Sequence, residues 1–170
     1  MMSDGSPAKP LISDDLRAFC TVLPVNGGLL GLDLGTKTIG VARSDMTRTI
    51  ASSVETIRRR KFKLDAARLL ELARDDDICG IVLGLPLNLN GSSGPRAQAT
   101  RAFARNLSGV LALPILLWDE RLSTVAAERA LLEADASRAK RHEVIDQVAA
   151  TLILQSALEA LNKNGTPSQD

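Results

Sequence analysis

Residues Leu29 to Asp45, LLGLDLGTKTIGVARSD, constrain the fold more than any other stretch of this 170-residue chain. They read as an apolar strand, a glycine-bearing turn and a second apolar strand, a β-hairpin that presents Asp33 at its rim. Leu30, Leu32 and Leu34 alternate with Gly31, Asp33 and Gly35, so Asp33 shares a strand face with two glycines, which predicts open space around its carboxylate. Burying an unpaired carboxylate is costly or forces it to take up a proton, so Asp33 requires a cation, a metal or a bound ligand. The plainer alternative is an Asp that only accepts hydrogen bonds from the turn amides of Gly35 and Thr36.

The rest of the chain alternates strand and helix patterns. TIASSVETI, from Thr49, predicts a third strand, and the apolar runs CGIVLGLP, closed by Pro86, and ILLWDER, after Pro114, predict buried parallel strands. KFKLDAARLLELARDD predicts a helix over 62–76 with Leu64, Ala67, Leu69 or Leu70, and Ala73 on its apolar face. A second amphipathic helix spans 96–111, where Phe103, Leu107 and Leu111 recur at i, i+4 and i+8. LSTVAAERALLEA starts a helix capped by Ser123 or Thr124, and EVIDQVAATLILQSALEAL forms the last helix after a basic, helix-poor stretch SRAKRH. The loop Asn88 to Pro95 either brings backbone amides to a phosphate or simply connects strand to helix. This order predicts an α/β fold, one domain over 29–162 with helices covering a mixed sheet. An N-terminal extension, 1–28, is expected to be partly flexible, with Ser13 capping a short peripheral helix, and residues 163–170 are expected to be a disordered tail.

Composition narrows the functional classes. Aromatic residues make up only 2%, with no Tyr and one Trp, so the core is aliphatic and recognition by aromatic base-stacking platforms is excluded. The net charge of +1 gives no global sign of a polyanionic partner, so any such partner must be read from local basic clusters. Cys20 and Cys79 lie far apart without zinc-ligand spacing, which predicts reduced thiols. No uninterrupted apolar run reaches about 18 residues, and the first ten residues hold no apolar leader core, so a cytoplasmic protein without a membrane partner is expected.

Three positions carry acids where chemistry is expected. Asp33 ends the first strand, Asp119 and Glu120 end the last, and Asp146 stands alone among apolar residues early in the final helix. Ligands of α/β sheets bind at the carboxyl ends of parallel strands, so the first two converge there. Asp146 points at the protein because Val144, Ile145, Val148 and Leu152 surround it in sequence. Two carboxylates about 4 Å apart repel by roughly 4 kcal/mol at an effective dielectric near 20, so three together stay ionised only around a divalent cation. Oxygen-only ligation selects hard ions, Mg2+ or Mn2+, and carboxylate-held metal serves displacement at phosphorus.

Four ordered motifs then match a known family: GLDLGTKTIGVA from Gly31, IVLGLPLNLNG from Ile81, WDERLST from Trp118 and IDQVAATLILQ from Ile145. Over about Leu29 to Leu161 the chain resembles the YqgF/RuvX family, Holliday junction resolvases or pre-16S rRNA nucleases of the RNase H-like superfamily. The resemblance implies an RNase H-like mixed β-sheet, Asp33, Glu120 and Asp146 as catalytic acids and metal ligands, and Mg2+ or Mn2+ as cofactor. Strand alternation lets only one of Asp119 and Glu120 face the site, and the family pattern favours Glu120. Thr38 departs from the Arg that many relatives carry in GTKRIG, which weakens a phosphate contact at that position.

The implied activity is metal-dependent endonucleolytic cleavage of structured nucleic acid, with the 5′ end of pre-16S rRNA as substrate and a monomer or weak homodimer as the acting unit. It gives the basic residues Lys37, Arg58, Arg59, Arg96, Arg101, Arg121, Arg138, Lys140 and Arg141 a role in gripping phosphates without reading bases. His142 is either a proton donor to a leaving group or a solvent-facing residue. The alternatives are resolution of four-way DNA junctions, a non-catalytic rRNA-binding factor, and an actin-like ATPase. The last needs two such domains, and this chain is long enough for one.

Overall fold

The computed structural model describes residues 9–135 and 138–164, excluding the side chains of 133–143. A six-stranded sheet runs β1(Ile12–Ser13), β6(Ile115–Asp119), β5(Ile78–Leu85), β2(Gly28–Leu34), β3(Thr38–Ser44), β4(Ala51–Arg58) from edge to edge. β1, β6, β5 and β2 are mutually parallel, while β3 and β4 continue the sheet antiparallel. This is the mixed sheet expected from the hairpin and the two apolar runs. The helices are α1(Leu16–Val22), α2(Phe62–Asp75), α3(Pro95–Leu111), α4(Val125–Asp135) and α5(Arg138–Asn164), with a single-turn 3-10 helix at Glu120–Leu122.

Period-two alternation sorts the sheet side chains into two cores. On one face Leu30, Leu32, Ile39, Val41, Ile81, Leu83, Ile115 and Leu117 pack with Leu69 of α2 and Phe103 and Leu107 of α3. On the other, Leu29, Ala42, Val82, Leu116 and Trp118 pack with Phe19 of α1 and with Ala149, Ala150, Ile153, Leu154 and Ala157 of α5. Val144–Asn164 is long and apolar enough to cross a membrane by length and composition. Its inward residues Ile145, Ala149, Ala150, Ile153, Leu154, Ala157, Leu158 and Leu161 are buried within the domain, which accounts for its composition as a core helix.

Four expectations are corrected. The space beside the hairpin glycines is filled, not open: a Cβ on Gly31 would stand 2.6 Å from the Leu154 Cβ and 3.0 Å from the Ala150 carbonyl oxygen, so glycine lets α5 lie against β2. The buried face of α2 is Asp65, Ala66, Leu69, Leu72 and Ala73, whereas Leu64 and Ala67 are exposed. Asp65 turns inward because its carboxylate accepts the Arg60 amide, both oxygens at 3.2 Å. The segment before the hairpin is not peripheral: Ser13 lies in β1 against Leu116, Asp15 caps α1 by accepting the Arg17 amide at 3.0 Å, and Phe19 is fully buried. The stretch expected to be helix-poor is helical from Arg138 onward. The tails expected at 1–8 and 165–170 lie outside the described residues.

Candidate nucleic-acid cleavage site

The sheet reverses its order at β2, with β5 and β6 on one side and β3 and β4 on the other. The carboxyl ends of β2, β5 and β6 therefore open a crevice of the kind in which α/β sheets bind ligands. Asp33 lies there on the α5 face, 3% exposed. In register it pairs with Gly40 of β3. A Cβ on Gly40 would come within 2.0 Å of the Asp146 carbonyl oxygen, so the absence of a side chain is what lets the first turns of α5 settle on the hairpin and bring Asp146 beside Asp33. The Thr38 hydroxyl donates to the Asp146 carboxylate and fixes its direction.

Glu120 arrives from the other side. β6 ends at Asp119, and the chain tightens into the 3-10 turn, with the Arg121 amide donating to Asp119 at 2.9 Å. That turn directs the two neighbouring acids apart. Asp119 is engaged by the Arg121 guanidinium at 2.7 Å, which holds its carboxyl below the usual range. Glu120 folds back over β5, where a Cβ on Gly84 would meet its Oε1 at 2.8 Å. Burial, then repulsion from Asp33, raises the Glu120 carboxyl above its ordinary value. Asp33 is likewise raised, first by burial and further by Asp146, against the attraction of Arg129 and Arg96. Asp33, Glu120 and Asp146 thus act on one another and on Arg129 as one electrostatic cluster, while Asp119, which also raises Glu120, is ion-paired with Arg121.

Arg129 of α4 was not singled out from the sequence, and it is the cation at the centre. One of its terminal nitrogens donates to both Asp33 oxygens, at 3.0 and 2.9 Å. Burial opposes its charge, but attraction from Asp33, Glu120 and Asp146 outweighs that and raises the guanidinium's pKa. The available signal was its position one helical turn after Val125, which is 2% exposed, so both share the inward face of α4. Among the described residues, no three Asp, Glu, His or Cys side chains are gathered as a ready ligand set for one ion. The donor chemistry still fits a hard divalent cation: carboxylate oxygens only, with Asp33 buried and Glu120 half-buried, around a single guanidinium.

Basic residues surround the turn that follows Asp33. Arg59 donates to the Gly35 carbonyl at 2.7 Å, Arg96 reaches the Leu34 carbonyl at 3.4 Å, and Lys37 is exposed in the turn itself. Arg58 is exposed opposite Thr38, and Arg101 reaches the Ser93 hydroxyl at 3.5 Å. Arg121 is committed to Asp119 and to the Leu89 carbonyl. The side chains of Arg138, Lys140, Arg141 and His142 lie outside the described residues. In the loop after β5, the Gly91 amide donates to the Asn88 carbonyl and the Ser92 amide to the Asn90 side chain, so these amides serve the loop rather than a phosphate cradle.

Residues 27–160 match the family described as RuvX: Holliday junction resolvase. A protein of Cereibacter sphaeroides named "Putative pre-16S rRNA nuclease" is 62% identical over 152 residues, covering 89% of this chain and 95% of its own length. One of the same name from Rhodopseudomonas palustris is 67% identical over 138 residues, covering 81% and 86%. Among solved structures, Thermus thermophilus RuvC in complex with a Holliday junction substrate superposes with a TM-score of 0.51 at 12% identity, over 82% of this chain and 97% of that one, a likeness of fold. On the match over 27–160 and identities above 60% across nearly the full length of its relatives, the chain belongs to the RuvX family of the RNase H-like fold.

Proposed function

We propose that this chain is a metal-dependent endonuclease that hydrolyses phosphodiester bonds of structured nucleic acid, with the 5′ end of pre-16S rRNA as its substrate in the cytoplasm. The observation that carries the reading is the buried Asp33 carboxylate, with Glu120 and Asp146 converging on it at the carboxyl ends of β2 and β6. A binding module gains nothing from assembling carboxylates that repel one another. Asp33, Glu120 and Asp146 would hold Mg2+ or Mn2+, which when bound activates water and stabilises the departing oxygen.

The chain's own groups supply the remainder. Thr38 orients Asp146 through its hydroxyl, and Gly84 leaves room for the Glu120 carboxylate over β5. Arg59, Arg96 and Lys37 place positive charge around the turn next to Asp33, where a scissile phosphate and its neighbours would lie. Such contacts position the backbone without reading sequence, and binding through them weakens steeply with salt. Hydrolysis adds water across the P–O ester bond, and a monomer or a weak homodimer suffices for a single cut.

The family description and the RuvC likeness favour one second reading, resolution of four-way DNA junctions. Cleavage of a pre-rRNA leader and of a four-way DNA junction, side by side with Mn2+, separates the two. The Asp33→Asn protein is expected to keep its fold by circular dichroism and lose cleavage of either substrate. Undiminished cleavage by that variant refutes the mechanism, and tight RNA binding without cleavage by the wild-type protein refutes the enzyme.

A further inference from the structure

Resting on the metal-dependent reading, the geometry points to Arg129 as an internal counter-ion that competes with the divalent metal for Asp33, so that loading the site requires the guanidinium to leave the carboxylate. Both oxygens of Asp33 accept from the same Arg129 nitrogen, at 3.0 and 2.9 Å, and Asp33 is 3% exposed. A carboxylate so engaged has its lone pairs directed at a cation already, and a metal ion must take them from it. The other two acids feel the same guanidinium, since Glu120 and Asp146 both act on Arg129 through space. One side chain therefore offsets part of the repulsion within the cluster in the absence of an ion.

Two features make this contact exchangeable rather than a fixed strut. The Arg129 side chain is 32% exposed, so it has a path to solvent that Asp33 lacks. Its helix, α4, packs chiefly against α5 and the 3-10 turn rather than on the sheet, while Asp33 is anchored in the central strand. When a divalent ion arrives, the carboxylate stays and the guanidinium is what moves. Arg129 acts here on the ligand, not on the reacting atoms, so it is a positioning residue.

Titration calorimetry of Mn2+ into the full chain, without nucleic acid, tests the competition. Arg129→Met is expected to bind Mn2+ tighter by about 10- to 100-fold, the range that losing a charge-assisted hydrogen bond releases. Arg129→Lys, which retains the charge, is expected to stay nearer the wild-type affinity, and adding Asp33→Asn to Arg129→Met is expected to abolish the gain. Equal or weaker Mn2+ binding by Arg129→Met overturns the role of Arg129 alone. No Mn2+ binding by wild type or variant overturns the metal-dependent reading and this inference with it. If Arg129→Met is too unstable to titrate, the rise in Tm on adding Mn2+ reads the same competition: a larger rise than in wild type supports it, and an equal or smaller one overturns it.

Discussion

Substituting Gly40 by Ala tests how the acids are brought together. In an ordinary strand interior this change stabilises, because glycine loses more backbone freedom on folding, by about 0.5–1 kcal/mol. Here the added Cβ would stand 2.0 Å from the carbonyl oxygen, 2.6 Å from the carbonyl carbon and 3.3 Å from the Cα of Asp146. These are backbone atoms of a helix, and no rotamer change removes them. Restoring ordinary contact at about 3.4 Å requires the start of α5 to retreat by about 1.4 Å. Overpacking of this kind costs about 1–3 kcal/mol, so the sign of the stability change reverses. The retreat carries Asp146 away from Asp33 and Thr38, and on the proposed function, in which Asp146 helps hold the metal, a misplacement of about 1 Å lowers rates by about 100-fold. Urea unfolding should show a lower midpoint with an unchanged slope, and Mn2+-dependent cleavage should fall by that factor. Gly109→Ala in α3, where an added Cβ meets nothing within 4 Å, serves as the control and should stabilise. A Gly40→Ala protein with wild-type midpoint and wild-type cleavage would refute the argument that glycine at this register position builds the site.

Two other outcomes follow from the structure. Phe19→Ala empties a fully buried position against Gly80 and should cost about 3–5 kcal/mol in urea unfolding; a loss below about 1 kcal/mol would show that the segment before the hairpin is dispensable to the fold. Asp45, outside the site, accepts the Ile50 amide, the Thr47 hydroxyl and the Thr49 amide, which hold its carboxyl far below the usual range. Because the folded value is lowered, its contribution is present above the unfolded value of about 3.9 and is lost as pH falls below it. The stability gap between wild type and Asp45→Ala should therefore shrink as unfolding is measured at successively lower pH, and a gap that widens would contradict the assignment.

Asp33 and Asp146 were legible because each breaks an apolar pattern, Asp33 in a leucine-rich strand and Asp146 in a helix of Ile, Val and Ala, while at the end of the last strand the pattern offered Asp119 and Glu120 equally and only the family resemblance favoured Glu120. Hydrophobic periodicity reports such interruptions directly. The hairpin, the two parallel strands and the apolar face of α3 were legible for the same reason. The face of α2 was not, because Leu64, Leu69, Leu70 and Leu72 offer two overlapping stripes, and the one chosen by burial includes Asp65, whose carboxylate is satisfied by a backbone amide. The role of residues 12–19 was hidden because β1 pairs with a strand a long way downstream, Ile12 against Ile115, and local pattern carries no information about such a partner. Arg129 was not singled out, since an arginine among Glu and Ala does not by itself point to a carboxylate distant in sequence. The glycines misled in the opposite sense: their missing side chains signalled empty space, and a helix occupies it.

The close seating of α5 on the hairpin also sets when the site can exist. Asp33 is made early, on the second strand, and Asp146 late, on the last helix. Until α5 has left the ribosome, the face of the sheet that carries Asp33 is covered only where α1 lies, the α5 atoms that crowd Gly31 and Gly40 are missing, and Asp146 is absent. A nascent chain without α5 therefore lacks Asp146 and, on the proposed function, a complete cleavage centre. On the proposed function, an enzyme directed at the precursor of the ribosome's own RNA is built so that it cannot cut while it is still being made by one.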